Sequence, residues 1–135
     1  MRLFIVASAI FFATLALSTG ASAGTLEGSV PANRTSLVHA YSVADPSTCA
    51  SAGKPKMRVS TEPQHGKVSF KWGYVPAGKR FRGCAGGRMR AMTVYYTPAP
   101  GYRGKDTFTV GYSFADMSGY ITIGYRSQKI VVHVK

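Results

Sequence analysis

Acidic residues are scarce in this chain: five among 135, against seventeen lysines and arginines. Histidine is scarce too, with three residues, and there are two cysteines and one tryptophan. Each shortage excludes something. A calcium site needs clustered carboxylates, and Glu27, Asp45, Glu62, Asp106 and Asp116 are scattered along the sequence. The same five are all that a pair of glycosidase carboxylates can be drawn from. Asp45 in "VADPST" and Asp116 in "FADMSG" read as turn formers. Zinc needs more Cys or His at short spacing than the chain offers. No stretch of a dozen residues after the N-terminal segment has helical apolar periodicity, which excludes the helical fold classes. The stretch "GKRFRGCAGGRMR", residues 78–90, is rich in glycine and cations, but no Ser or Thr follows Lys79 and no helix pattern follows Gly87. A phosphate-cradling loop needs both. No metal and no other cofactor is expected.

Long apolar runs are limited to one, Leu3 to Leu17. Arg2 precedes it, and small residues ending in Ala21-Ser22-Ala23 follow it, before Gly24. That is the layout of a secretory signal with an A-x-A cleavage site. The run is shorter than the roughly 20 residues that cross a bilayer. Residues 1–23 are therefore expected to be removed on export, leaving residues 24–135 as one domain without a transmembrane segment, in the periplasm or outside the cell. In such an oxidising compartment Cys49 and Cys84 read as a disulfide. A catalytic Cys84 would need a positioned base. His39 falls in an early strand, His65 in a turn, and His133 on the outward side of the last strand.

What is abundant is positive charge. The formal net charge is +12. Ten of the cations lie between Lys54 and Arg90: Lys54, Lys56, Arg58, Lys67, Lys71, Lys79, Arg80, Arg82, Arg88 and Arg90. A chain so far from neutral is drawn to polyanions, and arginine suits bidentate capture of phosphate or carboxylate. For an exported protein the expected partner is an anionic polymer or an acidic protein surface at the envelope or beyond it. Nucleic acid is disfavoured there.

Alternation with period two runs through residues 24–135. In "KVSFKWGY" Val68, Phe70, Trp72 and Tyr74 alternate with Lys67, Ser69, Lys71 and Gly73, one face buried and one wet. "KMRVST" alternates similarly, and "EPQHG" lies between the two, so 56–61 and 67–75 are expected to pair as a hairpin. On such a hairpin the outward Lys56, Arg58, Lys67 and Lys71 share one side, and both cysteines lie at one end. The glycines of 78–90 are expected to let a loop cross between sheets, with its cations joining the strand cations in one patch. "MTVYYTP" places Met92, Val94 and Tyr96 on one side. "TFTVGYSF" turns Phe108, Val110, Tyr112 and Phe114 inward, with Thr107, Thr109 and Ser113 outward. "YITIGY" with "KIVVHV", "SLVHAYSV" (36–43) and "TLEGSV" (25–30) complete six to eight strands. Asp106 is expected to pin the turn before its own strand. Tyr95, Tyr102, Tyr120 and Tyr125 fall where they serve either as stacking faces among the cations or as ordinary surface tyrosines.

Such a series of short strands and turns means a β-sandwich or barrel. "EPQHGKVSF", "VYYTPAPGYRGKDTFTVGYSF" and the closing alternating strand resemble the bacterial immunoglobulin-like (cadherin-like) domains of secreted and cell-surface proteins. The matching positions are Pro63, His65, Gly66 and Val68; Tyr96, Thr97 and Pro98; and Gly104, Asp106 and Phe108. The resemblance covers about residues 56–135 and implies an immunoglobulin-like antiparallel β-sandwich of about seven strands. Members of that family occur as tandem arrays in large adhesins, whereas one copy is present here. The expected function is non-enzymatic binding through the basic face, in adhesion or envelope association. The alternatives are an assembly accessory that docks on a protein by edge-strand pairing, and a glycan or wall hydrolase.

Overall fold

A computed structural model describes residues 24–45, 48–51, 53–79, 84, 87–115 and 122–135. The segment expected to be a secretory signal, together with Arg80, Arg82, Asp116 and Tyr120, lies outside the described residues. Seven strands follow one another: β1 (Thr25–Val30), β2 (Ser36–Tyr41), β3 (Lys56–Thr61), β4 (Gly66–Pro76), β5 (Arg88–Pro98), β6 (Gly104–Ala115) and β7 (Thr122–Val134). They form a four-stranded sheet in the order β1-β7-β6-β3 and a three-stranded sheet in the order β2-β5-β4. This is an immunoglobulin-like sandwich. Its first strand lies at the edge of the four-stranded sheet, where it pairs with β7 in parallel; the other four pairings are antiparallel.

The alternation in the sequence builds the interior directly. Phe108, Val110 and Phe114 of β6 meet Val94 and Tyr96 of β5, with Ile130, Val132 and Val134 of β7 beside them. Val68 and Phe70 of β4 and Met57 of β3 pack against this core. Burying each large side chain of this kind contributes about 2 kcal/mol. Outside it, His133 faces outward and is bonded to Glu27 across the β1–β7 pair. That bond from His133 holds the Glu27 carboxyl below its ordinary value.

The expected hairpin of β3 with β4 does not form. The strands are consecutive but belong to different sheets, β3 pairing with β6 and β4 with β5. A period-two strand has one apolar face whether its neighbour lies beside it or opposite it, so the pattern fits both arrangements. The turn decides between them. The backbone N–H groups of Gln64 and His65 donate to Asp106 of β6, at 3.0 and 2.9 Å. The His65 carbonyl accepts instead from Ala99 N–H at 2.7 Å, just beyond β5. His65 is therefore the residue at which the chain crosses from one sheet to the other.

Asp106 is 4% exposed and pins this turn rather than only the one before its own strand. It also accepts the Tyr96 hydroxyl at 2.7 Å and the Thr107 N–H at 2.9 Å. Burial pushes its carboxyl up, but the Tyr96, His65, Gln64 and Thr107 donors outweigh that and hold it below its ordinary value. Tyr96 is shifted the opposite way, upward, by burial and then by its bond to Asp106.

Gly66 follows at once, and a Cβ there would lie 2.6 Å from both the Thr97 carbonyl and the Tyr96 ring. Neither neighbour can move, since one is strand backbone and the other is held in the core by Asp106. Gly66→Ala is expected to cost about 2 kcal/mol through overpacking. A denaturation midpoint equal to that of wild type would show that the crossing has slack.

Cys49 and Cys84 form a disulfide with a Cα–Cα separation of 5.2 Å. It ties the β2–β3 connection to the connection between β4 and β5. The second connection does not cross between sheets. It returns to the neighbouring strand of the same sheet, closed by Ala77 N–H donating to the Gly87 carbonyl at 2.6 Å.

Candidate functional site

β4 and β5 pair over eleven residues each, from Gly66↔Pro98 to Pro76↔Arg88. One face of this ladder points toward the other sheet. Along it the rungs read Val68/Tyr96, Phe70/Val94, Trp72/Met92 and Tyr74/Arg90. The first three are apolar and pack inward. The opposite sheet does not cover the last rung, and Tyr74 is 57% exposed. Tyr74 was expected in the core because its spacing continues that of Phe70 and Trp72. Period two reports the face a residue is on, but not where the facing layer stops.

On this overhang the Arg90 guanidinium lies 4.7 Å from the Tyr74 ring centroid and 5.8 Å from that of Trp72. The aromatic faces hold the cation by their quadrupole. Arg88 lies on the same row, one rung further out. Beneath the ledge is an open hollow of about 440 Å3 between the edges of the two sheets, lined by Lys54, Pro55, Lys56, Met57, Phe70, Trp72 and Met92. Two lysines thus line a hollow with an apolar floor beside the arginine ledge, and among the described residues no carboxylate lines it.

A second arrangement lies on the outer face of the four-stranded sheet. Arg58 stands opposite Gly111. The hydroxyl end of Tyr125 lies over that glycine, so close that a Cβ on Gly111 would come within 1.6 Å of the oxygen. The Arg58 guanidinium lies 4.3 Å from the Tyr125 centroid, and its Nε donates to the phenol oxygen at 2.9 Å. This bond pulls the phenol below its ordinary value. The adjoining hollow, about 330 Å3, is lined by Lys56, Met57, Arg58, Ser113 and Tyr125.

No protein-family model matches the sequence, and no curated protein does. Among solved structures the chain is similar to the solution structure of Amebosin, at 11% identity and a TM-score of 0.43, over 81% of this chain and 88% of that one.

The eight described cations of the ten do not form one patch. Lys54 and Lys56 line the first hollow, and Arg90 lies over the ring of Trp72, which also lines it, with Arg88 beyond. Arg58 and Lys56 belong to the outer face of the four-stranded sheet, and Lys67 and Lys71 to the outer face of the three-stranded one. The expectation that these four share a side fails with the hairpin it rested on. Lys79 is exposed on the β4–β5 connection. Arg80 and Arg82 lie outside the described residues.

A larger hollow, about 680 Å3, opens at the far end of the sandwich among Asn33, Gln64, His65, Lys67, Thr97 and Pro98. Its His65 stacks on Tyr102 at 4.1 Å, and Lys67 is its one cation. Asp45 forms a turn, accepting the Thr48 N–H at 3.2 Å. Among the described residues no group of three or more His, Cys, Asp and Glu is placed to hold a metal ion. No helix there is long and apolar enough to cross a membrane.

Sequence reasoning missed the pairing of Arg58 with Tyr125. A signal was present: Gly111 occupies an outward position in a strand where Thr107, Thr109 and Ser113 carry side chains. A glycine inside a strand marks the close approach of another group.

Proposed function

We propose that the protein is an exported, non-enzymatic binding module of the bacterial immunoglobulin-like kind, which holds an anionic polymer in the hollow between β3 and β4. One observation carries this reading. Arg90 is held against Tyr74 and against Trp72, which lines the hollow together with Lys54 and Lys56, and no carboxylate is among the described lining residues. A guanidinium fixed against an aromatic face has already lost much of its rotamer freedom, so less is lost when it binds an anion. The disulfide supports an oxidising compartment, and a net charge of +12 supports attraction to acidic polymers.

The test is binding to an immobilised acidic polysaccharide. Arg90→Gln is expected to weaken it about tenfold, the loss of roughly one charge-assisted contact. Lys67→Gln with Lys71→Gln removes more charge from another face and should change little. Binding should also collapse between about 0.1 M and about 1 M salt, as the screening length falls from about 10 Å to about 3 Å. Equal losses from the two variants, or affinity indifferent to salt, would sink the assignment.

Edge-strand docking is favoured by one observation. β4 presents eleven residues at the edge of its sheet, with no strand on its outer side among the described residues. Docking of that kind predicts a protein partner that is lost when proline is placed in β4 and is insensitive to Arg90→Gln.

A further inference from the structure

The two arginine–aromatic arrangements are not independent. The hollow under Arg90 and the hollow beside Arg58 share Lys56 and Met57 as lining residues. The edge of β3 runs between them, and Lys56 and Arg58, two residues apart, are spaced about 7 Å along it. A path therefore leads from the Tyr74–Arg90 ledge over Lys54 and Lys56 to Arg58. Every charged side chain named on it is a cation.

The Arg58 end is built rather than merely charged. The hydroxyl end of Tyr125 lies over Gly111, and the Arg58 guanidinium lies 4.3 Å from the ring centroid. Its hydroxyl takes the Arg58 Nε hydrogen. With Nε occupied, the donors left to Arg58 are those of its two terminal nitrogens, the fork that grips carboxylate or phosphate bidentately. The ring itself stays half exposed. Tyr74 likewise carries Arg90 on one face. The disulfide supports an oxidising compartment outside the cytoplasm, where acidic polysaccharide rather than nucleic acid is the polyanion on offer. What remains for a ligand is a series of anion-gripping groups along a line.

We propose that Arg58 on Tyr125 is a second anion seat, joined to the first along the edge of β3, and that the protein holds a linear acidic polysaccharide across both. This rests on the reading of the β3–β4 hollow as an anion site.

The test uses oligogalacturonates of graded length and the whole protein. Affinity is expected to climb with length until both seats are spanned, by at least about tenfold beyond the shortest binder. Arg58→Gln should abolish the climb and leave the shortest oligomer unaffected. Gly111→Ala should do the same while removing no charge, because the new methyl group displaces Tyr125 and frees Arg58 from its seat. A cooperative unfolding transition for that variant confirms that the fold is retained; should it fail to fold, Tyr125→Leu removes the seat without touching the strand. Arg90→Gln should weaken all lengths alike. Wild-type affinity independent of length, or a Gly111→Ala or Tyr125→Leu protein that keeps the full climb, overturns the second seat while leaving the first intact. Tighter binding of an oligothymidylate of equal charge overturns the polysaccharide. No binding of any oligomer overturns the anion-site reading and the second seat with it.

Discussion

Asp106→Ala is expected to destabilise the protein by about 4 kcal/mol, the largest loss from any single substitution considered. Among the described residues the carboxylate is the acceptor for the Gln64 and His65 N–H groups, and it takes the Thr107 N–H and the buried Tyr96 hydroxyl as well. Leaving a buried donor unpaired costs about 1–3 kcal/mol. Tyr96 retains one partner, the His65 carbonyl at 3.2 Å, so the loss is less than four such penalties together. Chemical denaturation checks it, and a midpoint within a few tenths of a kcal/mol of wild type would show that water replaces the carboxylate at no cost.

The same residue sets an acid limit. Its donors hold its carboxyl below the ordinary value of 3.8, so the unfolded chain takes up this proton at a higher pH than the folded one does. The stability Asp106 contributes is therefore fully present above the ordinary value and is lost as pH falls through the folded one. Asp106→Asn should be less stable than wild type at neutral pH, with the difference narrowing under acid. A gap that stays constant down to the lowest accessible pH would mean that Asp106 is not the titrating group.

This clamp also shows what was legible in the sequence and what was not. Pro63, His65 and Gly66, Tyr96, and Asp106 carry the family resemblance from three separate stretches, and in the fold His65, Gly66, Tyr96 and Asp106 meet around one carboxylate. The period-two pattern was enough to place the strands and the inward residues of β5, β6 and β7. It was not enough to pair β3, because an apolar face looks the same toward a neighbour and toward an opposing layer. It also could not show that Tyr74 overhangs, since that depends on the extent of the other sheet. The cations were visible as a count, but their division among faces follows from the pairing of β3. Among the described cations Arg58 and Arg90 differ from the others because each has an aromatic ring beneath it. One of those rings, Tyr125, comes from a strand 67 residues away in sequence, a contact that no local spacing encodes.

Removing the disulfide, by Cys49→Gly with Cys84→Ala, is expected to lower stability by about 4 kcal/mol. The bridge closes a loop with a sequence separation of 35, and in the chain-entropy model a loop of that length restricts the unfolded chain by about this much. Glycine is the appropriate replacement at position 49, because Cys49 has φ 61, in the left-handed region. The wild-type Cys49 already carries a Cβ there, so alanine would bear the same strain and glycine none. Alanine suits position 84, which is 8% exposed. The bridge has a second consequence, for the site. Lys54 follows Cys49 closely on the β2–β3 connection, whereas Trp72 and Arg90 stand on the strands leading to and from Cys84. The disulfide therefore fastens the ammonium side of the hollow to its arginine ledge. Under conditions where both proteins are fully folded, the variant should bind the acidic polysaccharide several-fold more weakly than wild type, because the two sides must be brought together on binding. Unchanged affinity beside a large loss of stability would confine the bridge to the fold and mean that the strands alone hold the hollow in register.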